Sequence, residues 1–485
     1  MIEIYKGLGQ RSSYLLDENG KNYRDINRAI SNISKPVIDP VAILGILMKN
    51  YPIGNRSLVE SISTAPWMAE LSSNNSWSLS ELPKHDNIMM SEKDIAPLFV
   101  DKLKKEALNF LKNKKRIGIL LSGGMDSRIV AGIIHTLKIQ GEYEGLVTAI
   151  SWGQPNSRDT VYAQKIAKSF GWDFHLLPIT SETLYENILL AGQLGAEFSP
   201  VHLHAMKAVS QIEGLDGILA GSYGDSIGRG EYSGRKVKNL HNIIDSHHNH
   251  FALMLNSAEK KSFIELKSDL HKSRARFSDR TESAHREIEM QQHYMRRQLN
   301  SCMNVIDNDI PLYQMFTSHE VFGFIWSLDY SCRTDSIYEE VLKILPGKLL
   351  DIPWARTGRK YNCTKTSSPK DELPSGYHRY GDWLRNDCRA FVLDNIQNGM
   401  LQSLGVFNEK SLDSLCKNWG KGRYPKADRL DEKLAWLASL SIFVKQYGII
   451  GVDEFDYSVM DPIREKKALL YTHAYTSFLS VMGRR

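Results

Sequence analysis

One stretch predicts the architecture of the chain: Arg116-Ile117-Gly118-Ile119-Leu120-Leu121-Ser122-Gly123-Gly124-Met125-Asp126-Ser127-Arg128. Ile117 to Leu121 is an apolar run of strand length, and the residues from Ile129 to Leu137 have the apolar content of a mostly buried helix. Between these segments the chain has a turn of small residues, with no side-chain bulk at Gly123 or Gly124. The stretch therefore predicts a strand, a Gly-rich loop and a helix in direct succession.

The predicted loop has the properties of a phosphate site. The first N–H groups of a helix have no partner within the helix, and the helix dipole adds partial positive charge at the same end. Ser122 and Ser127 add hydroxyl donors, and the Asp126 carboxylate is suited to holding Mg²⁺ against a bound phosphate. We therefore expect a phosphorylated ligand at this loop.

The loop differs from the Walker P-loop, which needs Gly, four spacer residues and then Gly-Lys-Ser/Thr. The run Ser122-Gly123-Gly124-Met125-Asp126-Ser127 instead resembles the pyrophosphate loop (PP-loop) of ATP pyrophosphatases, which cleave ATP between its α- and β-phosphates. An ordinary Gly-rich turn between a strand and a helix is the alternative interpretation. The resemblance implies ATP as the ligand but does not identify the reaction.

The composition is that of an ordinary globular protein. A length of 485 residues suits about two or three domains, and the hydrophobic and charged contents are 42% and 24%. The net charge of +5 is modest and spread along the chain, so we expect no nucleic-acid partner. No apolar run approaches the roughly 20 residues of a transmembrane helix, and the N-terminus lacks a signal-peptide pattern, so we expect no membrane association.

The cysteines indicate a reducing compartment. They are odd in number and lack paired metal-ligand spacing: Cys302, Cys332, Cys363, Cys388 and Cys416. This pattern is typical of reduced thiols, and it predicts a cytoplasmic protein.

Strands and helices alternate after the loop. The predicted elements are a strand within 144–153, a helix over 157–170, a strand over 172–177, a helix near 201–212 and a strand over 217–220. This alternation predicts an α/β fold with a doubly wound parallel sheet of the ATP pyrophosphatase type, the adenine nucleotide alpha hydrolase-like fold. A second Gly-rich turn, Gly221 to Ser226, follows the last strand and contains Asp225. Because ligands of such sheets lie beyond the carboxyl ends of the strands, we expect Asp126 and Asp225 to share one Mg²⁺ site.

The flanking regions follow other patterns. Residues 1–95 predict a small α+β region, with a strand at Tyr14 to Leu16 and a helix begun by Asp39. Beyond about residue 236 the chain has a helical pattern, and the charged run from Arg280 to Arg297 favours an exposed helix. The clustered His241, His247, His248 and His250 lack metal-ligand spacing and predict a solvated segment.

The order of these elements resembles the synthetase domain of asparagine synthetases, whose relatives include β-lactam synthetases and lasso-peptide cyclases. Four segments support the resemblance: the loop 122–127, the strand end and helix from Ser151 to His175 with Asp159, the acidic loop 221–228, and Arg359-Lys360 ahead of Trp383. The resemblance divides the chain into a glutaminase-like N-terminal region (1–95), an ATP-binding synthetase domain (96–450) and a C-terminal extension (451–485).

Two departures from the family pattern affect the expected chemistry. The acidic loop of the family usually continues Asp-Glu-Leu-Phe-Gly-Gly, whereas this chain has Asp225-Ser226-Ile227-Gly228-Arg229-Gly230 and so gains Arg229. Asparagine synthetases that use glutamine have a cysteine nucleophile after the initiator methionine, where this chain has Ile2. We therefore expect the N-terminal region to be a shortened, inactive remnant of the glutaminase.

The resemblance also implies site residues. Those expected to contact ATP are Leu121, Ser122, Gly123, Gly124, Asp126, Ser127, Ser151, Gly221, Tyr223 and Gly224. Lys360 is the candidate catalytic lysine, with Lys365 and Lys370 as competitors, and Arg229 is a candidate for binding pyrophosphate or an anionic substrate group. Ordinary structural roles for Lys360, Arg229 and Tyr223 are the alternative interpretations.

The implied reaction is an ATP-dependent ligation. A substrate carboxylate is adenylated with release of pyrophosphate, and an amine or ammonia then displaces AMP to give an amide. The carboxylate, from a small molecule or a peptide, and the amine donor remain open, as do a homodimer and an amine-supplying partner. The alternative functions are a PP-loop enzyme that modifies a nucleotide or nucleic acid, and an ATP-binding protein without catalysis.

Overall fold

The structure, a computed structural model, describes residues 7–9, 11, 13–16, 21–71, 77–228, 243–244, 250–361, 370–420 and 427–482. The first elements are β1 (Tyr14–Leu16), β2 (Asn22–Tyr23), α1 (Ile26–Ile30), α2 (Pro40–Lys49), β3 (Ile62–Thr64), β4 (Ala69–Leu71) and β5 (Trp77–Leu79). They form a three-stranded antiparallel sheet in the order β2-β1-β3 and the hairpin β4-β5. As predicted, Asp39 begins a helix, because its carboxylate accepts the N–H groups of Val41 and Ala42.

The central part of the chain alternates strands with helices. Its elements are α3 (Glu92–Leu111), β6 (Arg116–Leu120), α4 (Met125–Ile139), β7 (Leu146–Gly153), α5 (Arg158–Phe170), β8 (Asp173–Pro178), α6 (Ser181–Gln193), α7 (Met206–Ser210), β9 (Gly217–Ala220) and α8 (Gly224–Ile227). The following part is mainly helical in its described residues, with one strand among them. Its elements are α9 (Asn256–Ala275), α10 (Glu282–Glu289), a π-helix (Met290–Asn300), α11 (Ser301–Asp307), β10 (Leu312–Gln314), α12 (His319–Ser327), α13 (Asp335–Ile344), α14 (Tyr380–Arg385), α15 (Arg389–Ile396), α16 (Glu409–Asn418), α17 (Arg429–Tyr447) and α18 (Asp461–Met482).

The predicted α/β fold is confirmed by a five-stranded sheet. Its strands are all parallel and lie in the order β10-β9-β6-β7-β8, so β6 occupies the centre. Ile117 and Ile119 of β6 point into one apolar layer with α3, α4 and α13, whereas Leu120 points into a second layer with α7 and α11. Helices thus cover both faces of the sheet, and this doubly wound arrangement buries the strand that leads into the Gly-rich loop.

Several boundaries differ from those predicted. The fifth strand, β10, and the helix α6 are not predicted from the sequence, because a strand of three residues and a helix of mixed polar and apolar residues each give weak periodicity. The helix predicted near residues 201–212 is wrong in length, since only a 3₁₀ turn (Pro200–His202) and the short α7 form there. The sequence predicts an amphipathic helix over 98–115, whereas α3 begins at Glu92, where Ser91 caps it, and continues through Pro97 to Leu111.

The described residues also bear on two expectations about the compartment. Cys302, Cys332, Cys388 and Cys416 are buried free thiols, and Cys363 lies outside the described residues. Of the helices in the described ranges, none combines the length and the apolar character that crossing a membrane requires.

Candidate active site

The predicted site residues meet at a cavity of about 430 Å³ beyond the carboxyl ends of β6, β7 and β9. The predicted residues that line it are Leu121, Ser122, Gly124, Asp126, Ser127, Ser151, Gly221 and Asp225. A cavity of this size lies within the range of small-molecule sites. Gly123, Gly224 and Tyr223 are outside the lining, and the Tyr223 side chain is fully buried with its hydroxyl donating to the Leu8 carbonyl over 3.3 Å. Its placement is that of a packing residue.

The Gly-rich loop is held in shape by its own serines. The Ser122 N–H donates to Ser127 Oγ, the Gly124 N–H donates to Ser122 Oγ, and the two hydroxyl oxygens are also 3.1 Å apart. Gly123 has no room for a side chain, because a Cβ there would lie 2.7 Å from the Cβ of Ala355. Gly124 then caps α4, so the loop ends at a helix N-terminus that faces the cavity.

The second Gly-rich turn packs directly on Asp126. A Cβ at Gly221 would lie 2.8 Å from the backbone carbonyl carbon of Asp126, and a Cβ at Gly224 would lie 2.6 Å from Asp126 Oδ1. The glycines thus allow the loops after β6 and β9 to touch, and this contact brings Asp126 and Asp225 to one cavity. Oxygen ligands from one or two carboxylates, completed by substrate phosphates, are what Mg²⁺ takes in nucleotide sites. The residues present therefore fit Mg²⁺ bound to a nucleotide.

Asp159 is a third carboxylate in the lining and supports the first loop from α5. Burial raises its pKa to about 6, although a hydrogen bond from the Gly123 N–H opposes the shift. Asp159 thus accepts a hydrogen bond from the backbone of the Gly-rich loop, and its main contribution is to hold this loop in position.

Arg128, whose role the sequence did not reveal, links the loop to the segment that carries Lys360. Its guanidinium is fully buried, and burial lowers its pKa to about 9. It donates to four carbonyl oxygens, those of Gly123, Leu349, Ile352 and Pro353, at distances of 2.7 to 3.1 Å. The segment 349–355 is therefore cross-linked to the Gly-rich loop. A second contact is the hydrogen bond that the Ala355 N–H donates to Gly123 O over 3.1 Å.

The lysine and arginine side chains that were candidates for catalysis differ in their exposure and in their distance from the cavity. Lys360 is half-exposed, lies outside the cavity lining, and places its Nζ 2.8 Å from Asp351 Oδ1. This contact lowers the pKa of the Asp351 carboxyl. Lys370 is exposed, whereas Lys365 and Arg229 lie outside the described residues.

The β7 side of the cavity is formed by aromatic rings and neutral imidazoles, which the sequence did not identify. His204 adopts a left-handed backbone (φ 45°), its Nδ1 is 2.8 Å from the Tyr380 hydroxyl, and its ring stacks 6.0 Å from Trp152. Burial lowers the pKa of the neighbouring His202 to about 4 and that of His204 well below its usual value. Both are therefore neutral near pH 7. A strained backbone fixed by several partners is typical of functional sites.

A helical wall, defined as Tyr294, Gln298, Leu299, Cys302 and Met303, forms another side of the cavity. These residues come from the π-helix and from α11, where a spacing of four to five residues keeps them on one face. Stretches of π-helix are rare and frequently occur at functional sites. The wall was not predicted, because the surrounding charges indicated an exposed helix.

The prediction that residues 280–297 form an exposed helix is wrong, because charged side chains of this run, such as Glu287 and Arg297, are buried. Their burial is possible because each has an ion-pair partner. Glu287 pairs with Arg333 at 2.8 Å, and Arg297 pairs with Glu197 at 2.9 Å between side chains that are 2% and 3% exposed. Charged groups are buried in proteins when they are paired in this way.

The second face of the π-helix is anchored in the N-terminal layer, defined as the described residues of 7–95. The Arg297 guanidinium donates to the carbonyls of Gly54 and Arg56 and to Thr64 Oγ1, at 2.9 to 3.0 Å. The Gly54 N–H donates to His293 Nδ1 over 3.1 Å. The same helix thus carries the cavity wall on one face and the contact with the N-terminal layer on the other.

These features define a class: an α/β domain in which a Gly-rich loop and two acidic side chains meet at one cavity, with residues that fit a magnesium nucleotide. Comparison with known proteins agrees, since residues 100–301 match the family model described as asparagine synthase. Over 101 residues the chain is 31% identical to asparagine synthetase [glutamine-hydrolyzing] of Gallus gallus, a match that spans 21% of this chain and 17% of that relative. Residues 100–301 are therefore similar to the synthetase domain of the asparagine synthetase family, a family that uses ATP.

Proposed function

We propose that this protein is an ATP-dependent carbon–nitrogen ligase that adenylates a substrate carboxylate and passes the acyl group to an amine. One observation supports the proposal above the others: Asp126 and Asp225 line the same cavity as Ser122 and Ser127 within the matched domain. Phosphates, a metal ion and a carboxylate substrate can meet there. We place the activity in the cytoplasm as part of the same proposal.

The first step joins the carboxylate to AMP. A carboxylate oxygen attacks the α-phosphorus of ATP, the bond to the bridging oxygen breaks, and pyrophosphate leaves with the electron pair. Asp126 and Asp225 would hold Mg²⁺, which supplies positive charge to the leaving pyrophosphate. The N–H groups at the start of α4 would stabilise the same charge, because they are fixed before the reaction begins.

The second step makes the amide. The amine nitrogen attacks the acyl carbon, AMP leaves, and one proton is lost from nitrogen. Lys360 is our candidate for stabilising negative charge in this step, since Arg128 ties its segment to the phosphate loop. An amine substrate or ring closure within the substrate is favoured over free ammonia, because a bound amine gains from proximity.

Lys360→Ala is expected to keep carboxylate-dependent ATP–pyrophosphate exchange while the rate of amide formation falls by about 10² or more. A group that acts in the transition state of the second step changes kcat more than KM. The two activities are measured separately, by exchange of labelled pyrophosphate and by chromatography of the amide product.

The matched control for this variant is Asp351→Asn, which removes the ion-pair partner and leaves the lysine in place. Amide formation near the wild-type rate in Lys360→Ala, together with its loss in Lys370→Ala, would assign the role to the other lysine.

We further propose that the protein does not hydrolyse glutamine. The glutaminase of the family that the chain resembles uses a cysteine thiol as its nucleophile, whereas the N-terminal layer contains no cysteine and the first cysteine of the sequence is Cys302. Incubation of the purified protein with ATP, Mg²⁺ and glutamine is therefore expected to release no glutamate. Addition of a carboxylate and an amine is expected to release AMP and pyrophosphate in equal amounts.

Two outcomes would contradict these proposals. Glutamate release by the protein alone would show that a glutaminase is present. ATP left intact across a panel of carboxylates and amines, with Mg²⁺ present, would instead contradict the ligase activity.

A further inference from the structure

The helical wall is uncharged and mostly apolar. Leu299 and Tyr294 are partly exposed to the cavity, whereas Cys302 and Met303 are 1% and 2% exposed. Burial raises the pKa of the Cys302 thiol, which therefore stays neutral. Gln298 adds an amide, which can donate and accept hydrogen bonds without charge. A ligand group that lies on this wall therefore meets mainly the aliphatic side chain of Leu299 and the phenol ring of Tyr294.

The other sides of the cavity have different chemistry. The loops after β6 and β9 present hydroxyls, N–H groups and the carboxylates of Asp126 and Asp225, which suit phosphates and a metal ion. The end of β7 presents Ser151 and the ring of Trp152, on the side where the family resemblance implies a further contact with the nucleotide. The helical wall is then the side that remains for the group attached to the reacting carboxylate.

We propose that the acyl substrate is a monocarboxylate whose remaining part is uncharged and largely apolar, and that this part packs on the helical wall. The inference rests on the proposed ligase function and names its substrate class. It distinguishes this site from one for aspartate, whose additional charged groups would have to be desolvated against Leu299 and Met303. Such desolvation is unfavourable for an unpaired charge.

The test uses two acids that share one carboxylate arm. In 3-phenylpropionate the group beyond the two methylenes is a phenyl ring, and in succinate it is a second carboxylate. With the full-length protein, ATP and Mg²⁺, we expect kcat/KM for ATP–pyrophosphate exchange to be at least about tenfold higher with 3-phenylpropionate. A preference for succinate or aspartate would overturn the inference.

Two substitutions at one wall position test the placement. Leu299→Arg puts a cation on the wall, and it is expected to lower exchange with 3-phenylpropionate about tenfold or more while raising exchange with succinate. Leu299→Gln, the uncharged polar control, is expected to lower use of 3-phenylpropionate without the gain for succinate. If Leu299→Arg instead raised the KM for ATP and left that for the carboxylate unchanged, the wall would belong to the nucleotide and the inference would be wrong.

A binding measurement separates failure of this inference from failure of the ligase proposal. Calorimetric titration with each acid, in the presence of Mg²⁺ and α,β-methylene-ATP, needs no turnover. Tighter binding of 3-phenylpropionate without any exchange would support the wall assignment and contradict the adenylation chemistry. Equal binding of both acids, or binding of neither, would overturn the inference whatever the exchange assay gives.

Discussion

Pyrophosphate release from ATP is expected to fall by roughly 10²–10³ or more when Asp126 is replaced by Asn, and similarly in Asp225→Asn. Each substitution keeps the shape of the side chain and removes the negative charge that would hold Mg²⁺. The two turns touch through Gly221 and Gly224, so both carboxylates serve one cavity. Release is measured by a coupled pyrophosphate assay across a Mg²⁺ titration, where the variants should also need more metal.

The control for these variants is Asp173→Asn, because Asp173 is an exposed carboxylate at the opposite, amino end of strand β8. We expect it to retain wild-type turnover and metal dependence. The thermal unfolding midpoint of all three variants should stay near that of the wild type, since no core volume changes. Near-normal turnover in Asp126→Asn would contradict the assignment of the metal site.

Arg297→Met is expected to have the largest effect on stability, a loss of about 3–5 kcal/mol in the free energy of unfolding. The substitution leaves the buried Glu197 carboxylate without its guanidinium partner and removes the donors to the Gly54 and Arg56 carbonyls. Because burial raises the pKa of Glu197, the loss should shrink as the pH falls and the carboxylate takes up a proton. Urea unfolding at several pH values measures both effects.

The double variant Arg297→Met, Glu197→Gln provides the internal check for the buried pair. It should recover part of the stability lost in Arg297→Met, because no uncompensated charge then remains. Lys261→Met breaks the exposed contact between Lys261 and Glu454 and should change stability little. Equal losses in Arg297→Met and Lys261→Met would mean that the buried pair does not hold the π-helix.

The parts of the fold that sequence predicts are those with local signals. For three elements, a few neighbouring residues are enough to predict the structure: the apolar run of β6, the Ser-Gly-Gly-x-Asp-Ser loop and the N-cap at Asp39. Strand β10 and the short α7 depend on neighbours far along the chain, so their sequences alone do not reveal them. Tertiary packing decides such elements more than local propensity does.

The same distinction applies to the site. Asp126 and Asp225 follow strands, and the rule for parallel sheets brings them together without knowledge of any contact. Arg128, His204 and the helical wall could not be predicted in this way. Their roles come from carbonyl groups, a tyrosine hydroxyl and a buried ion-pair partner supplied by segments a hundred or more residues away.

The two-faced π-helix has a consequence for how the chain can be divided. The segment similar to asparagine synthase, 100–301, ends within one residue of this helix and contains neither strand β10 nor the carbonyls that receive the Arg297 guanidinium. A fragment cut at those limits would carry the Gly-rich loop but would leave Arg297 with Glu197 alone, without its carbonyl acceptors, and the sheet without its edge strand. The segment that matches the family model is thus smaller than the part of the chain that must fold together. Chimeras with related proteins should therefore exchange the N-terminal layer and the π-helix together.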